Sequence, residues 1–588
     1  PAPPAPVVGN AALAAQALPG LTALYRLSEM YPPGTADGAC LLHAAHDLLR
    51  PLWKCMSATP PTLLPAQMPC HTPTEEAAVA WFMTPVAPTP AAPAHGCPAH
   101  AHWPPPDAQA GIVQALPSTP THGALLLIEC DDAKAIGELV CRLDPATLGA
   151  QVAKKSAGPW LNLFFTAAGL KKARVPDGLL ACLPTEFVQG MEARAAVLGD
   201  LEADHPQHWA LPERNWPLGA APTTPTRVPL SGVHVVAQIL VAPLQAVQGW
   251  QALDAQHPAY PAISDFAARL PQGARILSVE PLHRNFDAQG QPREHFGFAD
   301  GLSNPMHPND LPRGSLRPAA WDDWKLGDYL LGYANGHDDP PLQGRFWTDS
   351  TFLVVRKLRQ DVDALHALVG GPPAQSGLAA LMVGRQQDGR NLVNGTTGNA
   401  FDYATDPTGR LCPLHSHVRR ANPRVQPGQR DDLQVLPRIL RRGMSYGPPH
   451  GPGTAQMERG VVFMAYNASI AEQFELIQSW LSGGNSPGDG SYSGQRDPIF
   501  ARPREGDRDS FDFGPCPRPG ALPLPPGAAR PVALQWGLYL FVPSVPALQD
   551  IARFATETTC PAAGATPPDP VAAERAAQAK KGAAIIAK

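Results

Sequence analysis

Asp300 sits in the run Glu294-His295-Phe296-Gly297-Phe298-Ala299-Asp300-Gly301-Leu302-Ser303-Asn304-Pro305. Aromatic residues just before it can hold its carboxylate against an apolar wall, and the flanking glycines let backbone approach a planar ligand. Asp-Gly alone is only a turn signal. Further along, Cys412-Pro413-Leu414-His415-Ser416-His417-Val418-Arg419-Arg420-Ala421-Asn422-Pro423-Arg424 sets one of 19 histidines, His417, beside three arginines. Imidazole is a common metal ligand, and guanidinium groups can neutralise the carboxylates of an anionic cofactor. His415 is the competing ligand, because extended backbone would point it to the same face as His417 and only one can be axial. In the third block, Pro437 to Pro448, Arg438, Arg441 or Arg442 could stabilise developing negative charge, since arginine stays ionised. Read by itself, each of these blocks is an ordinary polar loop.

Taken in order, the Gly-x-x-Asp-Gly form at 297–301 and the Cys-Pro-x-x-x-His-x-Arg-x-x-Asn-Pro-Arg form at 412–424 resemble the dye-decolorising (DyP-type) haem peroxidases. Ile439-Leu440-Arg441-Arg442-Gly443-Met444-Ser445-Tyr446-Gly447 is similar to a third element of that family, and Asp497-Pro498-Ile499 to a fourth. Shorter likenesses at 165–170, 190–194, 198–200 and 466–470 extend the resemblance over roughly residues 110–560. It implies one haem b per chain, with His417 as the axial iron ligand and Asp497 accepting a hydrogen bond from it. Such an acceptor fixes the tautomer and makes imidazole a stronger donor. Asp300 becomes the distal acid/base and Arg441 the cation that stabilises peroxide cleavage, with Gly301, Leu302, Ser303, Arg419, Arg424 and Arg441 as haem contacts. The implied activity is oxidation of bulky donors such as dyes and phenols by hydrogen peroxide, through a ferryl haem intermediate. Trp321, Trp324, Tyr329, Tyr333, Trp347 and Tyr446 could relay electrons, or simply pack the core. The alternatives are a non-catalytic haem-binding or haem-handling protein, a metal-binding adaptor and a scaffold.

The elements that must position these residues follow from apolar patterning. Strands are expected at 123–130, 160–165, 233–240, 350–356, 460–466 and 536–542, and helices at 133–143, 185–198, 361–369 and 470–481. The succession fits an α+β fold, and the resemblance implies two ferredoxin-like domains with antiparallel sheets flanked by helices. Domain expectations are a Pro/Ala-rich, partly helical extension over 1–110, with helices at 11–25 and 38–56, an N-terminal domain over 111–330, a haem-binding domain over 331–560 and a tail over 561–588. The 71 prolines among 588 residues point to long irregular connections. Two stretches depart from the compact family pattern, the first 110 residues and the loop 425–437.

A formal net charge of -5 carries no basic field for nucleic acid, and no run of about 18 apolar residues offers a membrane span. The ten cysteines form neither Cys-x-x-Cys nor a dense framework, which favours a reducing compartment. Cys70-His71 and the His95 to His102 stretch match no standard zinc spacing. A cytoplasmic protein is therefore expected, unless a signal has been removed, with an oligomer possible and peroxide and an organic donor as partners.

Overall fold

The computed structural model describes residue 73 and most of residues 105–557, apart from 106, 114–119, 150–157, 210, 213–226, 243–249, 251, 301, 303, 305–324, 337–340, 343, 374–376, 398–400, 425–435, 484–495, 501–509, 515–520 and 524–529. The helices expected at 11–25 and 38–56, the Cys/His stretches near 70 and 95–102, and the tail lie outside the described residues.

The first half begins with β1 (His122–Cys130), an apolar run buried on both faces. Helix α1 (Ala133–Arg142) follows, its start capped by Asp132, which accepts from the Ala135 N–H at 2.9 Å. Then come β2 (Trp160–Phe165), β3 (Val235–Val241), α2 (Tyr260–Ala268) and β4 (Ala274–His283). The second half repeats the succession: β5 (Thr351–Gln360), α3 (Val362–Val369), β6 (Met444–Tyr446), β7 (Gly460–Asn467), a helical segment, and β8 (Val532–Val542). Asp361 caps α3 on the Ala364 N–H at 2.9 Å, and the helix ends where Gly370 turns left-handed at φ 76°.

Strand order within the halves is β4-β1-β3-β2 and β8-β5-β7-β6, antiparallel throughout. Each is the β-α-β-β-α-β ferredoxin-like arrangement. Their edges meet at Phe165↔Phe541 between β2 and β8 and at His283↔Ser445 between β4 and β6, so the two sheets close into one ring with its edges paired. Side chains from non-adjacent strands cross the interior: Lys357 of β5 meets Glu280 of β4 at 2.9 Å, and Gln238 of β3 reaches the Met464 sulfur of β7 at 3.6 Å. The halves are thereby one packed body, continuous in a single apolar core.

Three sequence expectations change. The helix expected at 185–198 breaks at Gly190 (φ 78°) into Thr185–Gln189, a 3-10 turn and Ala195–Leu198. The helix expected at 470–481 opens as a π-turn over Ile470–Glu475 before α5 (Leu476–Leu481). Cys141 and Cys182 are disulfide-bonded, which runs against the reducing environment read from cysteine spacing, since such bonds persist where thiols are not kept reduced. Among the described residues no helix is long and apolar enough to cross a membrane.

Candidate functional site

His417 opens the short helix α4 (His417–Ala421), entered through Ser416 in extended conformation. The entry is braced from the Cys412-Pro413 side. Asp406 accepts from the backbone N–H groups of Leu411 (3.1 Å) and Cys412 (2.9 Å), and Arg419 in the next turn donates to the same carboxylate at 3.1 Å. Arg419 also donates to the Cys412 carbonyl at 2.8 Å and lies 4.3 Å over the Tyr403 ring. Its charge is matched by Asp406, and in this structure it braces the turn that opens α4.

The His417 ring is fixed on two sides. Its Nδ1 lies 2.7 Å from Asp497 Oδ2, and its face stacks on Phe500 with ring centroids 5.2 Å apart and 14° between planes. Asp497 is wholly buried, and its other oxygen accepts from Ile499 N (2.8 Å) and Phe500 N (3.2 Å). With Nδ1–H given to a carboxylate, Nε2 carries the lone pair and is the atom that can ligate a metal. His415 is differently engaged: it is buried, with Nδ1 3.1 Å from the Arg420 guanidinium.

Opposite in sequence role, the Asp300 loop is a compact hairpin extension. Residues 285–286 pair with 292–293, and Arg293 bridges Ala299, so residues 294–298 form a closed loop. Ala299 donates to the Gln387 carbonyl at 2.9 Å and Asp300 to the Pro292 carbonyl at 3.1 Å, which sets the backbone on both sides of the acid. Arg441 lies in a two-residue strand, Leu440–Arg441, paired with Tyr466 and Ala465 of β7. Its guanidinium donates to the Leu302 carbonyl, while Asn304 exchanges two 3.1 Å hydrogen bonds with its backbone. Burial lowers the Arg441 pKa and the nearby Asp300 charge opposes that fall, so the two groups are within electrostatic reach. Leu302 thus touches Arg441, whereas Gly301 and Ser303 lie outside the described residues.

Two arginines of this neighbourhood carry no sequence signal that singles them out. Arg284, at the end of β4, shows the same balance of burial against attraction to Asp300, and its Nε is buried without a hydrogen-bond partner. Arg385 is buried, and its pKa is held down to about 10, first by burial and then by repulsion from Arg424 and Arg441. Arg424 itself is buried 4.1 Å over the Phe401 ring and donates to the Phe401 carbonyl at 3.1 Å. Cations that repel one another at this cost suit an anionic ligand. An imidazole with a fixed tautomer, an acid with an adjoining arginine, and further buried cations are the residue types that a dianionic haem would use.

Among the aromatic relay candidates, Tyr329, Trp347 and Tyr446 are buried. Tyr446 donates to Gln535 at 3.1 Å and lies under the Lys357 ammonium, 4.7 Å away. Tyr333 is half-buried and donates to Asp349. Trp321 and Trp324 lie outside the described residues.

Residues 291–491 match the model of the DyP-type peroxidase C-terminal family. The chain is 28% identical over 317 residues to the multifunctional dye peroxidase DyP2 of Amycolatopsis sp., which covers 48% of this chain and 66% of that protein. It is 30% identical over 263 residues to the dye-decolorizing peroxidase msp1 of Mycetinis scorodonius, covering 36% and 48% respectively. The chain therefore spans between about half and two thirds of the length of these relatives. In fold it is similar to a fungal DyP-type peroxidase from Auricularia auricula-judae, with a TM-score of 0.57 at 20% identity over 76% of this chain and 98% of that one.

Proposed function

Since the chain belongs to the dye-decolorising peroxidase family, a family of haem enzymes, we propose that it is a haem-dependent peroxidase that uses hydrogen peroxide to oxidise bulky organic donors such as dyes and phenols. The observation that carries the reading is the His417–Asp497 pair at 2.7 Å, which leaves one imidazole nitrogen for a metal and backs it with a buried charge. One haem b per chain is proposed, with Nε2 of His417 as iron ligand and Arg424, Arg441, Leu302 and the neighbouring Gly301 and Ser303 as contacts. Bound haem would supply the redox chemistry, two-electron cleavage of the peroxide O–O bond and one-electron oxidation of donors.

Asp300 takes the proton from the incoming peroxide and returns it to the leaving oxygen. Arg441 cannot act as the base, because it stays protonated; it offsets the negative charge that builds on the departing oxygen. Arg284 is a second cation within electrostatic reach of Asp300. Asp497 holds His417 to one tautomer. Tyr333, half-buried and bonded to Asp349, is the described aromatic best suited to pass an electron outward, because the carboxylate can receive its phenolic proton. The disulfides at Cys141 and Cys182 favour an oxidising compartment over the cytoplasm.

The test is reconstitution with haem followed by peroxide-dependent oxidation of a phenol and an anthraquinone dye. Uptake of one haem per chain with turnover of both donors is expected. Haem uptake without turnover would favour the haem-handling alternative, and no uptake would overturn the reading.

A further inference from the structure

Glu294 stands six residues before Asp300, and three donors converge on its carboxylate. Phe298 N donates to Oε1 at 2.7 Å, Phe296 N to Oε2 at 2.9 Å, and Gln360 Nε2 of β5 to Oε2 at 2.5 Å. The loop also closes on the Glu294 backbone: its N–H donates to the Phe298 carbonyl at 3.1 Å, and its carbonyl accepts from Gly297 N at 2.9 Å. Gly297 is left-handed at φ 86°, and a Cβ there would come within 2.6 Å of Gln387 Nε2. That same amide donates to the Phe296 carbonyl at 2.9 Å. The loop is thus wound about the side chain of its own first residue and pinned to the barrel from β5.

This arrangement costs stability. Burial pushes the Glu294 carboxyl up to about 7, against the pull of the three hydrogen bonds, and the nearby Asp300 charge raises it further. Only a carboxylate can accept at both oxygens from all three donors, because a carboxamide must turn an N–H toward one of them. A half-buried carboxyl held by three donors one loop away from the candidate acid is the pattern of a group retained for placement.

We propose that Glu294 is a positioning residue for Asp300: its carboxylate, tied to β5 through Gln360, fixes the backbone that presents the acid to peroxide. The inference rests on the peroxidase reading, so its test has an arm that needs no haem. Hydrogen exchange of the haem-free protein would compare wild type with Glu294→Gln, and with Gln360→Met, which removes the tie while leaving the loop sequence intact. Exchange at Phe296, Phe298 and Asp300 amides is expected to quicken about tenfold or more in Glu294→Gln, and less in Gln360→Met. In the haem-loaded protein, kcat/KM for peroxide should fall in Glu294→Gln while the KM for dye stays unchanged. Asp300→Asn should then mask the effect, the double variant being no slower than Asp300→Asn alone. Unchanged exchange in both variants, or an additive loss in the double variant, would overturn the positioning role. Failure of wild type to turn over peroxide would instead strike the peroxidase reading, and the exchange result would stand apart from it.

Discussion

Asp497→Asn separates support of the fold from support of the ligand. In the wild type one oxygen serves Ile499 N and Phe500 N, and the other faces His417 Nδ1 at 2.7 Å. A carboxamide has one acceptor oxygen. If it keeps the two amides, its NH2 points at the imidazole; if it serves the imidazole, its NH2 points at the amides. Leaving a buried donor unmatched costs about 1–3 kcal/mol. The cheaper escape is for His417 to change tautomer, so that Nδ1 accepts from Asn and Nε2 carries the proton. That form cannot ligate iron until the proton moves back, at a similar cost. Loss of such an outer partner typically weakens metal binding about 10–100-fold, or about 1.4–2.7 kcal/mol, which agrees with the hydrogen-bond figure. The assay is titration of haem-free protein with haem, followed by absorption, beside a thermal melt of the haem-free form. We expect a melt within a few degrees of wild type and haem affinity lowered by one to two decades. Asp497→Asn binding haem within twofold of wild type would refute the tautomer argument.

Burial holds the pKa of His283 down to about 3 and that of His295 to about 4, with Asn285 and the Tyr446 carbonyl as their partners. Below the ordinary histidine range the unfolded chain takes protons that these rings refuse, so their stabilisation is full above about pH 6.5 and is lost as pH falls toward 3–4. Each contributes a loss of about 2 kcal/mol between pH 7.5 and 5, and His283→Gln should shed that share of the slope in urea melts; parallel curves would contradict it. Lys357→Met alone strands Glu280 inside the ring and should cost about 3–5 kcal/mol, while the double change Lys357→Met with Glu280→Leu should recover much of it in denaturant unfolding. Reducing agent should destabilise the fold through loss of the bonding at Cys141 and Cys182, by on the order of 2–5 kcal/mol per bond, which denaturant unfolding with and without reductant measures.

The strands at 122–130, 160–165 and 460–467 were legible because the chain there is largely buried and almost unbroken apolar, and the strand at 351–360 through its apolar start, Phe352 to Val355. β4 was not legible, since Arg275, Ser278, Glu280, Pro281 and His283 interrupt it. Glu280 is tolerable there only because Lys357 arrives from the other half, a fact of tertiary structure that no local pattern carries. The break at Gly190 had a local sign in the glycine itself. At the site, His417, Asp497, Asp300 and Arg441 stood out through resemblance, and spacing alone would have left His415 as a rival. The roles of Asp406, Glu294 and Gln387 were hidden because each acts through backbone amides or carbonyls of loops whose closure the sequence does not encode locally.

The most direct test of the central claim is the haem absorption spectrum of wild type, His417→Ala and Asp300→Asn, taken with peroxide-dependent bleaching of an anthraquinone dye. The account predicts haem and bleaching in wild type, loss of haem in His417→Ala, and retained haem with slowed bleaching in Asp300→Asn. Undiminished haem binding and bleaching in His417→Ala would contradict it.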